Sequence, residues 1–134
     1  MKKVLLLSAG NPCRAIVSEA IAKKYLPKTS GIEVTSAGIS NDGSVNQSAM
    51  KALEKEGIDT SLLRKKELSE VMDESYDLVI TLCDHSKEHC PVFPYAVSTI
   101  HMGISVLEDD DAACAAFIEN VKMKLVPLIS RELA

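Results

Sequence analysis

The apolar run Val4-Leu5-Leu6-Leu7 passes without a break into Ser8-Ala9-Gly10-Asn11-Pro12-Cys13-Arg14 and then into helical periodicity. A continuous apolar run, rather than an alternating one, suits a strand covered on both faces, as in a parallel sheet between helices. Gly10, Asn11 and Pro12 are turn formers. Beyond them Ile16, Val17, Ala20, Ile21 and Tyr25 recur at the spacing of one helix face. Strand, tight loop and helix in direct succession form a cradle for an anion, because loop amides point inward and the helix N-terminus adds partial positive charge. Arg14, at the loop's exit, offers a planar fork that grips two oxygens of an oxyanion.

The remaining elements follow the same alternation. Gly31 to Ile39 reads as a second strand, broken at Gly38, and Ser40 to Ser44 as a loop. Asn46 is a fitting N-cap for a helix carrying Ala49, Met50 and Leu53 and stopped at Gly57. Ile58 to Lys66 reads as irregular and Glu67 to Met72 as a short helical piece. Tyr76 to Leu82 is a third strand ending on Cys83, Asp84 to Pro94 a polar loop, Ala96 to Met102 a fourth strand, and Gly103 to Asp110 a loop with an acidic end. The last helix aligns Cys114, Phe117, Ile118, Val121, Leu125, Leu128 and Ile129, with Pro127 expected to kink it or end it early. The alternation predicts an α/β fold, a parallel sheet with helices on both faces, in which ligands bind beyond the carboxyl ends of the strands. Those ends carry Ser8, Ser36, Cys83 and His101.

The 134 residues suffice for one domain, 1–134, with a sizeable core. A net charge of −4 argues against broad nucleic-acid binding. The opening Met1-Lys2-Lys3 before the apolar run imitates a signal peptide, but the run is too short for one, and no stretch approaches the roughly 20 apolar residues of a membrane span. The expectation is a cytoplasmic chain without nucleic-acid or membrane partners, whose four cysteines are reduced or redox-active rather than a structural framework.

The loop resembles the phosphate-binding loop of the low-molecular-weight protein tyrosine phosphatases and of the thioredoxin-coupled arsenate reductases. In both, a nucleophilic Cys stands where Ser8 stands here, five residues precede the Arg at Arg14, and Asn11 and Glu19 match. The resemblance implies a four-stranded parallel sheet flanked by helices, of the low-molecular-weight phosphatase type. It also implies binding of phosphate, sulfate or arsenate by Arg14 and the amides of Ala9, Gly10, Asn11, Pro12, Cys13 and Arg14. Cys83 and Cys90 match the reductases' Cys-x6-Cys and are absent from typical phosphatases of the fold. There the nucleophile passes its oxidation to the first Cys, and the second closes a disulfide that thioredoxin reduces. The catalytic set implied is therefore Ser8, Arg14, Cys83 and Cys90, with thioredoxin as partner and no cofactor. Incidental loop thiols are the plainer alternative, and a zinc site with His85 and His89 a weaker one, its spacing being uncommon for zinc. The reductases often carry a non-essential Cys at the position of Cys13, though a helix N-terminus and Arg14 would activate a thiol there; Cys114 reads as core.

Three positions depart from the family pattern. Ser8 lacks the low pKa that makes cysteine a nucleophile near neutrality, and no His or carboxylate lies near it in sequence to act as its base. Ala15 stands where a Ser or Thr hydroxyl stabilises the thiolate, and Ile104-Ser105 follows His101-Met102-Gly103 where an Asp-Pro supplies the acid. One altered position would suit an otherwise working enzyme; three favour natural loss of function. Three readings stand: a working arsenate reductase whose nucleophile has been replaced by engineering and which is impaired as written, a phosphatase of the same fold, and a catalytically silent oxyanion-binding or redox-sensing relative. The resemblance further implies a cation site, of which Asn11, Glu19 and Ser36 remain; its Asp position falls in Arg64-Lys65-Lys66. Lys66 is read as part of a solvated basic turn in preference to an ammonium replacing the cation.

Overall fold

The computed structural model describes residues 2–9, 13–27, 31–39, 47–63, 66–82, 98–102 and 110–133. The elements are β1 (Lys2–Ala9), α1 (Cys13–Tyr25), β2 (Ile32–Ile39), α2 (Gln47–Lys55), α3 (Leu68–Val71), β3 (Leu78–Thr81), β4 (Thr99–His101), α4 (Asp111–Asn120) and α5 (Val126–Glu132). A 3-10 turn at Thr60–Leu62 separates α2 from α3.

The four strands form a wholly parallel sheet in the order β2-β1-β3-β4. β1 lies inside it, and Val4, Leu5, Leu6 and Leu7 are all fully buried, as an unbroken apolar strand requires. Alternate residues serve the two faces. Val4, Leu6, Val34, Leu78, Ile80 and Leu82 join the large core built with α1, α2, α4 and α5. Leu5, Leu7, Ala37 and Val79 meet Leu68 and Val71 of α3 in a smaller cluster on the opposite face. Leu6→Ala is expected to destabilise the fold by about 2–5 kcal/mol, because neighbours in such a core collapse only partly into the space left; urea unfolding checks it.

The helix ends are sequence-encoded. Asp110 caps α4 by accepting from Ala113 N at 2.8 Å. α2 ends where Ile58 N donates to Leu53 O and Gly57 N to Glu54 O, the pairing that needs a left-handed residue, and Gly57 has φ +82°.

Three expectations change. β2 is not broken at Gly38 but runs on to Ile39, with Gly38 paired to Ser8 on one side and bridged to Glu67 on the other. Pro127 does not end the last helix. A π turn at Val121–Leu125 comes first, with Val126 N bonding Val121 O, and leaves Pro127 in the opening turn of α5, where its missing N–H costs nothing. Tyr25 does not join the buried stripe of α1. It is 42% exposed, and its hydroxyl donates to Glu56 Oε1 at 2.7 Å while the Lys122 ammonium sits 5.0 Å from its ring centre and pairs with the same carboxylate. Hydrogen bonds from Lys122, then Tyr25, hold the Glu56 carboxyl below its ordinary pKa. The cluster joins the ends of α1 and α2 to the π turn.

Candidate functional site

β2 and β3 flank β1 on opposite sides, so the chain's direction of winding reverses at the carboxyl end of β1, where doubly wound sheets bind ligands. Ser8 stands there, opposite Gly38. The pleat turns its side chain to the face of Leu6 and Val4, toward α1. Ser8 is fully buried, and its Oγ makes no hydrogen bond among the described residues. A buried hydroxyl left so costs about 1–3 kcal/mol, which a ligand able to bond it would return.

Arg14 is the second residue of α1 and only 1% exposed. Its Nη1 donates to Leu82 O, just beyond β3, at 3.4 Å. The guanidinium thus links the helix that follows β1 to the end of β3, across the point where winding reverses. Cys13 and Ala15, on either side, are buried in the core. Ser18, one turn further along α1, has a second buried hydroxyl without a hydrogen-bond partner among the described residues; sequence reasoning missed it.

Glu19 follows Ser18 directly and is almost wholly buried. Its Oε1 accepts from Ser36 N at 2.6 Å and from Lys66 Nζ at 3.2 Å, and Lys23 Nζ lies 3.4 Å from Oε2. Lys66 is therefore not part of a solvated turn: its side chain is 16% exposed and Glu19's 8%. An isolated buried carboxylate is costly, which gives the ammonium a reason to be there. The backbone secures the approach, since Gly38 N donates to Lys66 O at 3.0 Å. Ser36 and Gly38 are alternate residues of edge strand β2, so Glu19 and the Lys66–Glu67 segment occupy amides the sheet leaves open. Lys66's ammonium thus sits on an oxygen of Glu19, one of the residues that the resemblance gives to a cation site.

His101 pairs with Thr81, and its Nδ1 lies 2.8 Å from Thr81 Oγ1. Thr81 aligns with Leu7, so the pleat puts both on the face opposite Ser8, and His101 is not placed to act as its base. Gly10, Asn11, Pro12, Cys83, His85, His89, Cys90 and the segment that would hold an acid, 103–109, lie outside the described residues, as does the side chain of Ala9. Among the described residues no helix is long and apolar enough to cross a membrane.

A doubly wound parallel sheet carries a buried arginine and a buried hydroxyl where the winding reverses, at the carboxyl end of its inner strand. Residues 3–116 match the family model of the low molecular weight phosphotyrosine protein phosphatases. An arsenate reductase of Halalkalibacterium halodurans is 36% identical over 121 residues, 90% of this chain and 81% of its own. The chain belongs to this family of phosphatases and the arsenate reductases that share their fold. A solved arsenate reductase in a phosphate-binding state superposes with a TM-score of 0.77 at 25% identity over the whole of both chains. A Cys-to-Ser mutant of the YwlE arginine phosphatase, with its active-site serine phosphorylated, superposes with a TM-score of 0.72 at 22% identity over 98% of this chain and 96% of its own.

Proposed function

We propose that this chain is an arsenate reductase-like protein that holds a tetrahedral oxyanion in the Ser8–Arg14 loop and is impaired in turnover because Ser8 replaces the nucleophilic thiolate. The observation that carries the reading is the fully buried Ser8 hydroxyl, which has no hydrogen-bond partner among the described residues, on the strand that leads to the buried Arg14. A thiolate there would repel an incoming dianion; a neutral hydroxyl donates to it instead, so ground-state binding of phosphate or arsenate survives the loss of chemistry. Cys83 and Cys90 are assigned as the redox pair, reduced by thioredoxin in a reducing cytoplasm, and they weigh against a phosphatase. Calorimetry is expected to give saturable phosphate binding, while arsenate reduction with thioredoxin and hydrolysis of p-nitrophenyl phosphate stay at background. Robust turnover in either assay overturns the impairment.

The buried hydroxyl favours a second reading, in which Ser8 accepts a phosphoryl group and keeps it. With a phosphoarginine donor, the Ser8 Oγ–P bond would form as the P–N bond breaks, and the hydroxyl proton would leave on the guanidine nitrogen. His101, the one described histidine, lies on the face opposite Ser8 and cannot serve as its base, so the phosphoserine would form slowly and persist. Intact mass before and after incubation with phosphoarginine reads it: an unchanged mass excludes this reading and leaves oxyanion binding in place.

A further inference from the structure

We infer that Lys66 is the built-in counter-ion of Glu19 and a positioning residue for the oxyanion loop, which makes the candidate site indifferent to free monovalent cations. The inference rests on the oxyanion-binding reading for its main readout and on the Glu19–Lys66 geometry for its second. Glu19 lies five residues after Arg14 on the same helix and is almost wholly buried. Its Oε1 takes the Ser36 amide at 2.6 Å and the Lys66 ammonium at 3.2 Å, so one oxygen ties α1 to the edge of β2 and both to the segment before α3. Lys66 cannot easily drift from that position. Its carbonyl accepts from Gly38 N, the next residue bridges Gly38, and Gly38 pairs with Ser8. A continuous path thus runs from the Lys66 backbone through Gly38 to Ser8, and from its ammonium through Glu19 along α1 to Arg14. Lys23, the other ammonium on Glu19, has a side chain 57% exposed and is screened by solvent. It does not replace Lys66.

Removing Lys66's charge leaves a buried carboxylate that must protonate, shift, or draw a cation from solution. A shift of α1 by a fraction of an ångström displaces the Arg14 fork from the loop, and such misplacement is felt strongly at sites built on geometry. The experiment measures inorganic phosphate affinity by calorimetry in potassium chloride and in choline chloride of equal ionic strength. The full chain is compared with Lys66→Met, Lys66→Arg and Lys23→Met. The unmodified chain, Lys66→Arg and Lys23→Met are expected to bind alike in both salts. Lys66→Met is expected to bind about tenfold more weakly in choline and to recover much of that loss in potassium, whose ion enters where the ammonium was. A dependence of the unmodified chain on potassium overturns the inference, as does Lys66→Met binding like the unmodified chain in choline. If Lys66→Met fails to fold, the unmodified chain's two salts and Lys66→Arg still decide. If the unmodified chain binds no phosphate in either salt, the oxyanion reading fails, and thermal unfolding decides the ion pair separately. It is upheld if the unmodified chain's midpoint ignores the cation while that of Lys66→Met is lower and rises with potassium. It is overturned if the unmodified midpoint follows potassium or if the two midpoints coincide.

Discussion

Phosphate titrated into Arg14→Ala is expected to give no measurable binding at concentrations that saturate the unmodified chain. The guanidinium is 1% exposed and begins the helix directly after the loop, so its charge acts in a medium that screens poorly. Two charge-assisted hydrogen bonds to one anion at about 1.5–3 kcal/mol each correspond to a loss of roughly two to four orders of magnitude in affinity. The helix N-terminus and loop amides remain but contribute less. Arg14→Lys keeps the charge and loses the planar fork, and is expected to fall between the two. Unfolding does not explain the loss, because replacing a buried cation by alanine removes a desolvation penalty along with the Leu82 O contact. Thermal unfolding of Arg14→Ala within a few degrees of the unmodified chain confirms that the variant is folded. Binding by Arg14→Ala as tight as by the unmodified chain would falsify the assignment of the loop.

The part of the fold that depends on local pattern was legible. Val4–Leu7 gave the inner strand, and the 3.6-residue recurrence gave α1 from Cys13 to Tyr25. Gly57 stopped α2 because its φ is positive, and Glu67 opened a short helix because it and Glu70 cap each other. What depends on partners distant in the chain was not legible. Lys66 sits in a run of three basic residues, and nothing local separates the one that turns inward to Glu19, 47 positions away, from its neighbours. Tyr25 keeps the helical spacing of a core residue, yet its exposed edge is fixed by Glu56 and Lys122, which sequence distance conceals. Pro127 carries a strong local rule, and the π turn before it satisfies that rule without ending the helix. The site shows the same division: the succession of strand, loop and helix put Ser8 near the end of β1 and Arg14 at the start of α1, whereas the Leu82 carbonyl and the placing of His101 on the opposite face emerge only from strand register.

Ser8→Cys is expected to create a highly reactive thiol while restoring little catalytic turnover. Burial at this position pushes a thiol pKa up, and a nearby guanidinium with a helix N-terminus pushes it down. The second influence is expected to prevail, as it does for cysteines at helix N-termini beside cations, bringing the thiol below its ordinary pKa. Alkylation by iodoacetamide across pH measures this directly, and phosphate is expected to protect the thiol by occupying the loop. Turnover remains limited because Ala15 has no hydroxyl to steady the thiolate and Ile104-Ser105 stands where an Asp-Pro would deliver a proton. The redox pair provides a further discriminating outcome. In the unmodified chain, diamide or peroxide is expected to join Cys83 to Cys90, and arsenate is not, since no thiolate stands at position 8 to begin the transfer. In Ser8→Cys, arsenate is expected to form that bond slowly: two thiols lose two electrons and two protons, and arsenate becomes arsenite and water. Mass spectrometry of alkylated peptides identifies the pairing. A Ser8→Cys thiol that titrates like an ordinary cysteine sinks the assignment of Arg14 and the helix N-terminus as its activators. Cysteines 83 and 90 that stay fully alkylatable after diamide are ordinary loop thiols, and the relay assigned to them fails with that result.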